Sequence, residues 1–457
     1  MPVCVYEWRY GSEEMRSILS LESWMRHLLR VEVALVESLV ELGLAPREAA
    51  DSVRRAAASV TVEEWLEAEK RRGHDIAALA ELLGERAGAE AARYVHLGFT
   101  SYDVVDTAWA LVLREALSLL KRRVSRVISI LSRLARENMD VPVIGRTHGQ
   151  HASPVTLGFK LANYVYELAR RLEALCETEK RVVRAKIGGS VGTLAFWTLL
   201  WGEELALKLR ERVAKKLGLE PHVITTQVAP RDGFAELAAQ LAALAGVLER
   251  FALEVRELSR PEIGEWLEAP LGRIGSSAMP HKANPVVAER VCGLAKVARG
   301  LVVTAYENIA LWHERDLTNS SSERVWIPHM LLTIDQMLLD ILEILEKRLV
   351  FNYDAMRRNL ELTRGHALSE AVVALLVSKG MARHEAHRIV MEVSRRAYER
   401  GRPLLDALLE DKRVAGLVSR EELERVLRPE AFLGAYRRLA EEALRYGESV
   451  VQKCGGG

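Results

Sequence analysis

Residues 101–139 read SYDVVDTAWALVLREALSLLKRRVSRVISILSRLARENM. No glycine or proline interrupts them. Apolar residues recur at steps of three and four: Val104, Val105, Ala108, Leu111, Val112, Leu119, Val124, Ile128, Leu131 and Leu134. That period places an apolar stripe along an α-helix. At 1.5 Å per residue the helix is about 55 Å long. Runs of the same texture occupy residues 154–186, 233–262, 285–312 and 323–350. Five long helices predict an elongated central bundle spanning residues 100–350. Residues 241–247 and 309–312 are apolar on more than one face, so the bundle is expected to bury surface against further copies of the chain.

On either side the texture shortens. Within residues 1–99, an apolar period from Ser20 to Leu42 stops at Gly43, and Pro46 opens the next piece. Thr61 and Glu64 have capping-box spacing ahead of Trp65. Residues 351–457 again read as short helices, with turns at Gly380 and near Gly401 and Pro403, and a disordered Gly455-Gly456-Gly457 tail is expected. Strand signals are weak throughout. The expectation is an all-α chain of three helical domains, 1–99, 100–350 and 351–457, around a central five-helix bundle.

With 457 residues, 49% of them hydrophobic, the chain can bury a large core. Lys and Arg number 64 against 63 Asp and Glu, so no global basic field exists to hold nucleic acid. The first ten residues lack the cationic start and apolar core of a secretory signal. No uninterrupted apolar run reaches membrane-spanning length. A soluble cytoplasmic protein is expected. Cys4, Cys176, Cys292 and Cys454 form no CxxC pair and no metal-ligand spacing, so no metal is expected through sulfur. Abundant Arg, Glu and Ala with little Asn or Gln suit a thermophile, where intracellular disulfides occur. A Cys4–Cys454 bridge tying the two chain ends is the candidate.

Polar clusters sit where the long helices end. Residues 275–285, GSSAMPHKANP, are a loop of hydroxyls and backbone N–H groups with Lys282 beside it. Asn284 and Pro285 read as N-cap and first residue of the following helix, a place suited to developing negative charge. Residues 145–154, GRTHGQHASP, carry two histidines three apart. Arg146 next door and the lack of a nearby carboxylate argue against metal. His148, followed by glycine on a loop, reads instead as a general acid titrating near neutrality. The remaining clusters are Arg9-Tyr10, His74-Asp75, His96 with Thr100 and Ser101, Gln227 after two threonines, and Arg315, Ser320 and Arg324. Thr100 or Ser101 serves equally as a helix cap, and Asp232 as the cap of the third long helix. Residues 188–193, GGSVGT, lack the lysine and preceding strand of a nucleoside-triphosphate loop.

Together these clusters resemble the fumarase/aspartase superfamily and, within it, the adenylosuccinate lyases. GSSAMPHKANP is similar to the superfamily signature GSSxMPxKxNP, with His281 at the position that separates members. RTHGQHASP, Arg9-Tyr10, His74-Asp75, Thr100-Ser101 and the Arg315, Ser320, Arg324 spacing resemble the adenylosuccinate lyases. Two departures stand out: Glu13 where the family often has Pro, and Ala283 where it often has Arg. The resemblance implies a homotetramer with active sites shared among three subunits, and no metal or cofactor. The implied activity is β-elimination of fumarate from adenylosuccinate, giving AMP, and from the succinyl-carboxamide imidazole ribotide (SAICAR), giving its carboxamide product (AICAR). Ser276 is implied as base, His148 as acid and Glu289 as the carboxylate that orients His148. Ser277, Lys282 and Asn284 would hold the succinyl group. Arg9, Tyr10, His74, Asp75, His96, Thr100, Ser101, Gln227, Arg315, Ser320 and Arg324 would hold the rest of an anionic substrate with a phosphate and two carboxylates. Another lyase or carboxymuconate cycloisomerase of the superfamily is the alternative, and an inactive scaffold the remote one.

Overall fold

The computed structural model describes residues 4–269 and 282–454. Five long helices form the centre: Ser101–Glu137, Leu157–Val182, Asp232–Leu258, Val286–Glu307 and Thr318–Glu343. Each packs on the next, and the last returns to the first, so the bundle closes into a ring. The helices alternate in direction. One end of the bundle gathers Ser101, Val182, Asp232, Glu307 and Thr318; the opposite end gathers Glu137, Leu157, Leu258, Val286 and Glu343. The predicted all-α architecture is present; the first four long helices lie within five residues of their expected bounds, while the last, expected over 323–350, runs Thr318–Glu343.

The charged residues inside the first long helix explain how the first end is tied together. Asp106 lies within an otherwise apolar stretch and is buried. Its carboxylate takes both Nη atoms of Arg231, each at 2.8 Å, and the Ala229 N–H at 2.7 Å. Arg231, also buried, turns its Nε to Glu323 at 2.8 Å. Three long helices thus meet on one guanidinium. Burial alone would push Arg231 down, but Asp106 and Glu323 hold it raised, so the cation persists. One turn earlier, Asp103 accepts from the Lys186 Nζ at 2.8 Å and from the N–H groups of Gly188 and Gly189. This carboxylate shapes the glycine loop that follows the second long helix.

Several expectations are corrected. Among the described residues four short strands form two antiparallel pairs: Pro142–Thr147 with Gln150–Thr156, and Trp266–Glu268 with Leu349–Phe351. The fourth long helix begins at Val286, with Pro285 as N-cap and no side-chain cap. Its first N–H groups, on Val287 and Ala288, donate instead to the buried Glu268 carboxylate at 3.1 and 3.0 Å. Asp232 is the first residue of its helix, and Arg231 occupies the cap position. The Cys4–Cys454 bridge is absent. All four thiols are free; Cys4 lies 3.6 Å from the His329 Nε2, while the Cys176 Sγ approaches the Cys454 carbonyl at 3.9 Å. Cys4 thus lies against the last long helix and Cys454 against the second.

The final helix, Tyr436–Cys454, packs along Leu157–Val182 and shares the main core. A separate small core gathers buried residues from Val372 to Leu423. One helix with its extension, Thr318–Arg348, is long and apolar enough to cross a membrane by length and composition, but 72% of its apolar window is buried in the bundle.

Removing one partner of a buried ion cluster leaves an uncompensated charge, which costs about 3–5 kcal/mol. Asp106→Ala is therefore expected to lower the urea or thermal midpoint strongly. Glu137→Ala, which removes the exposed partner of Arg133, should leave it nearly unchanged.

Candidate active site

At the first end of the bundle the Gly188–Thr193 loop, the start of Ser101–Glu137, the Arg315 turn and the N-terminal helices converge. Arg315 is central. Its Nη1 donates to the Gln227 Oε1 at 2.9 Å, and its guanidinium carbon lies 4.0 Å from the centre of the Tyr102 ring. Its Nε is buried without a hydrogen-bond partner among the described residues. A buried guanidinium N–H left open is a donor in want of an acceptor. Gln227 is itself fixed, its amide nitrogen on the Ser190 carbonyl at 2.8 Å and its backbone N–H on the Glu314 carbonyl. Burial pushes the Tyr102 phenol up, and Ser320 beside it draws it part of the way back.

The neighbouring clusters complete this end. Arg324 donates to the Asp75 Oδ2 at 2.7 Å. His74 is the N-cap of the helix Asp75–Ala87 and accepts from the Ala77 N–H. Thr100 occupies the N-cap position of the long helix, and the Asp103 carboxylate reaches back to accept its N–H at 2.7 Å. His96 has a left-handed backbone, φ 55°. Its Nδ1 lies 2.6 Å from the buried Glu32, whose second oxygen accepts the His96 N–H at 3.0 Å. Burial alone would push this imidazole down; Glu32, with Asp103 beyond it, holds it above the ordinary histidine range. The structure therefore brings His74, Asp75, His96, Thr100, Ser101, Gln227, Arg315, Ser320 and Arg324 to one end.

His148 is at the other end. The strands Pro142–Thr147 and Gln150–Thr156 pair Thr147 with Gln150, which leaves a two-residue turn of His148 and Gly149. Both have positive φ, 55° and 73°, the conformation that lets a tight turn follow strand twist. His148 is thereby held exposed at the tip of a projecting hairpin. Gly145 makes the bulge that aims it, since a Cβ there would stand 2.5 Å from the Ser153 carbonyl oxygen. Below the tip, Arg146 clasps the buried Glu265 with both Nη atoms, at 3.0 and 2.5 Å. His151 is lowered by burial and by Arg146, with Glu265 opposing.

Lys282 and Glu289 are exposed near the start of Val286–Glu307, and Asn284 is half-buried there. Glu289 makes no hydrogen bond or ion pair with His148 within one chain. Ser276, Ser277 and His281 lie outside the described residues. The helix N-terminus read as an anion site is occupied by the Glu268 carboxylate, which burial pushes up and the Ala288 and Val287 N–H groups pull down. Arg9 and Tyr10 stand toward this same end, beside the chain of Gln336, Asp340 and Arg290 that reaches the neighbour of Glu289. The adjacent Gly11 N–H donates to Gln336, which stands about 24 Å along its helix from Ser320. Asp103, Asp106, Lys186, Glu265 and Glu268 were missed as organisers of the site. The signal for the first two was available, because charges three apart in an apolar helical stretch need buried partners.

A helix of 37 residues separates the Thr100 cluster from the His148 hairpin, about 55 Å by helical rise. No metabolite-sized ligand spans that distance within one chain.

A histidine raised by a carboxylate in the folded state contributes stability that is full below its unfolded value near 6.5 and is lost as pH rises through the folded value. The melting temperature of the native chain should exceed that of His96→Gln most below pH 6.5. The difference should shrink as pH rises into the alkaline range.

A family model described as lyase matches residues 9–300, and one described as adenylosuccinate lyase C-terminus matches residues 365–443. The chain is 43% identical over 448 residues to the adenylosuccinate lyase of Methanothermobacter thermautotrophicus, covering 97% of this chain and 98% of that protein. It is 40% identical to that of Archaeoglobus fulgidus, covering 98% and 99%. Among solved structures, the 3-carboxy-cis,cis-muconate lactonizing enzyme of Pseudomonas putida superposes with a TM-score of 0.86 at 31% identity, covering 98% of this chain and 100% of that one. Fold is thus shared with a cycloisomerase, whereas the C-terminal match and the full-length identities point to one branch. The chain belongs to the adenylosuccinate lyase family.

Proposed function

We propose that this chain is a cofactor-free C–N lyase that releases fumarate by β-elimination from adenylosuccinate, leaving AMP, and from SAICAR, leaving AICAR, in purine biosynthesis in the cytoplasm. The observation that carries this reading is full-length identity of about 40% to proteins named adenylosuccinate lyase. The cycloisomerase alternative rests on 31% identity to a lactonizing enzyme of the same fold, against about 40% to the named lyases.

The chemistry assigns each end of the bundle a task. A base removes a Cβ proton of the succinyl group, negative charge builds on the adjacent carboxylate, and an acid protonates the leaving nitrogen. His148 suits the acid: an exposed imidazole on a rigid tight turn can be presented to a bound substrate. Ser276 is the base in this reading, with Ser277, Lys282 and Asn284 on the succinyl carboxylate, where charge grows in the transition state. At the far end, the open Nε of Arg315, with Thr100, Ser101, Gln227, Ser320 and Arg324, supports binding of the anionic substrate. His74, Asp75 and His96 line the same end, and Arg9 and Tyr10 add a further anion contact.

Since the two ends are about 55 Å apart in one chain, a single site needs copies of the bundle packed antiparallel. The exposed apolar residues Val297, Val303, Tyr306 and Ile309, on and just beyond one central helix, supply surface for that packing. We therefore propose a homotetramer with shared active sites, in which Glu289 of one copy meets His148 of another.

Purified protein is expected to release fumarate from adenylosuccinate and SAICAR, to release none from argininosuccinate, and to form no lactone from carboxymuconate. Activity on the latter pair alone would sink the reading. His148→Ala and Ser276→Ala should each lower kcat on the order of a thousandfold while binding persists. Mixing inactive His148→Ala with inactive Arg315→Ala, after dissociation and reassembly, should restore part of the turnover. A mixture that stays inactive while forming hybrid oligomers would show that each site is built within one chain.

A further inference from the structure

The hairpin that carries His148 packs on Tyr353–Glu361 and His366–Leu368, but its charged anchor to the body lies at one residue. Thr147, His148, Gly149 and Gln150 are exposed, and among the described residues the tip has no hydrogen bond to any other element, although Gly149 and Gln150 border a cavity shared with Leu362 and His366. Arg146, two residues before His148, is the last residue on that strand with a buried partner, Glu265. We propose that Glu265 is a positioning residue for the reaction, setting through Arg146 the direction in which His148 is presented. The proposal rests on His148 being the general acid.

Glu265 is built as an anchor. Its side chain is 2% exposed. One oxygen takes an Arg146 Nη and also the Asn359 Nδ2 at 2.8 Å; the other takes the second Arg146 Nη. The same Asn359 nitrogen donates to the Ile263 carbonyl at 2.9 Å. The Glu265 backbone is held in both directions, its N–H on the Leu258 carbonyl and its carbonyl on the Asn352 N–H, both at 2.9 Å. The carboxylate is therefore fixed between the end of Asp232–Leu258 and the helix Tyr353–Glu361.

A fork-to-fork pair fixes orientation as well as distance, because two parallel N–H···O bonds resist rotation of the strand about its own axis. An apolar contact of equal size would hold the hairpin against the body but leave that rotation free. Over two extended residues, about 7 Å, a small rotation at Arg146 becomes a displacement of the His148 ring. A misplacement of about 1 Å in a reacting group costs up to about a hundredfold in rate. Across the hairpin, Arg146 pairs in register with His151, whose buried Nδ1 has no partner. The second strand packs on His366–Leu368 and Pro429–Phe432, but among the described residues it carries no ion pair that would fix rotation as the Arg146 fork does.

The test uses two variants that keep the size of each group. Glu265→Gln removes the charge and one acceptor of the fork. Arg146→Lys keeps the charge and loses the planar fork. Each is expected to lower kcat for adenylosuccinate about ten- to a hundredfold, with KM within threefold and the oligomeric state unchanged. In a His148→Ala background, neither should cause a further loss, because a residue acting only through His148 has nothing left to position. If the losses multiply instead, or if kcat stays within twofold in both variants, the positioning role is overturned. Near-normal turnover in His148→Ala alone would overturn the reading of His148 itself, and this proposal with it. Should one variant fail to fold, the other decides.

Discussion

One buried guanidinium holds the first end of this molecule together. Arg231 stands where the third long helix begins, Asp106 projects from the first and Glu323 from the last. A hydrophobic contact at this place would bring the helices equally close. It would not fix their register, because an apolar side chain accepts neighbours from many angles while the fork accepts carboxylates from two. The loop at residues 188–193, the Gln227 segment and the Arg315 turn all hang from the helix ends that this cluster aligns. The open Nε of Arg315 owes its direction to that alignment.

The opposite end is arranged by carboxylates on either side of one short strand. Glu265 and Glu268 flank Trp266–Glu268 and point to different tasks. Glu265 anchors the hairpin bearing His148, and Glu268 terminates the helix on which Glu289 lies. A helix N-terminus left open is an anion site; here the Glu268 carboxylate fills it, so the Val287 and Ala288 N–H groups are not open to an outside anion. The hairpin itself shows why strands interrupt an otherwise helical chain. A two-residue turn forces φ into the left-handed region at His148, and that strain buys a rigid, projecting imidazole that a helix end would have tucked against its own axis.

Much of the architecture was legible because helical periodicity is local. The apolar steps in residues 101–139 depend only on neighbours three and four apart, so the helix could be drawn without knowing what it packs on. The capping box at Thr61 and the cap at Thr100 are local in the same sense. The strands were missed because the residues 142–156 contain Gly145, Gly149 and Pro154 and show no clean alternation; their pairing is made by the turn and by the helices that bring both strand ends to one place. The cysteine pairing failed for a related reason. Nearness to the two chain ends says nothing about nearness in space, and Cys454 comes to lie against Cys176 because the last helix returns along the bundle.

By itself the sequence determined five long helices, the clusters of polar residues at their ends, and the likeness of those clusters to one enzyme family. These follow from short-range spacing and from residue types whose chemistry does not change with context. Only the tertiary structure decided which clusters stand together. It placed His96, Thr100, Gln227, Arg315, Ser320 and Arg324 at one end and His148, Lys282 and Glu289 at the other, and it revealed Asp103, Asp106, Glu265 and Glu268 as their supports. The reason is geometric: a helix carries its two ends rigidly apart in proportion to its length, while which ends meet depends on contacts between residues a hundred or more positions apart.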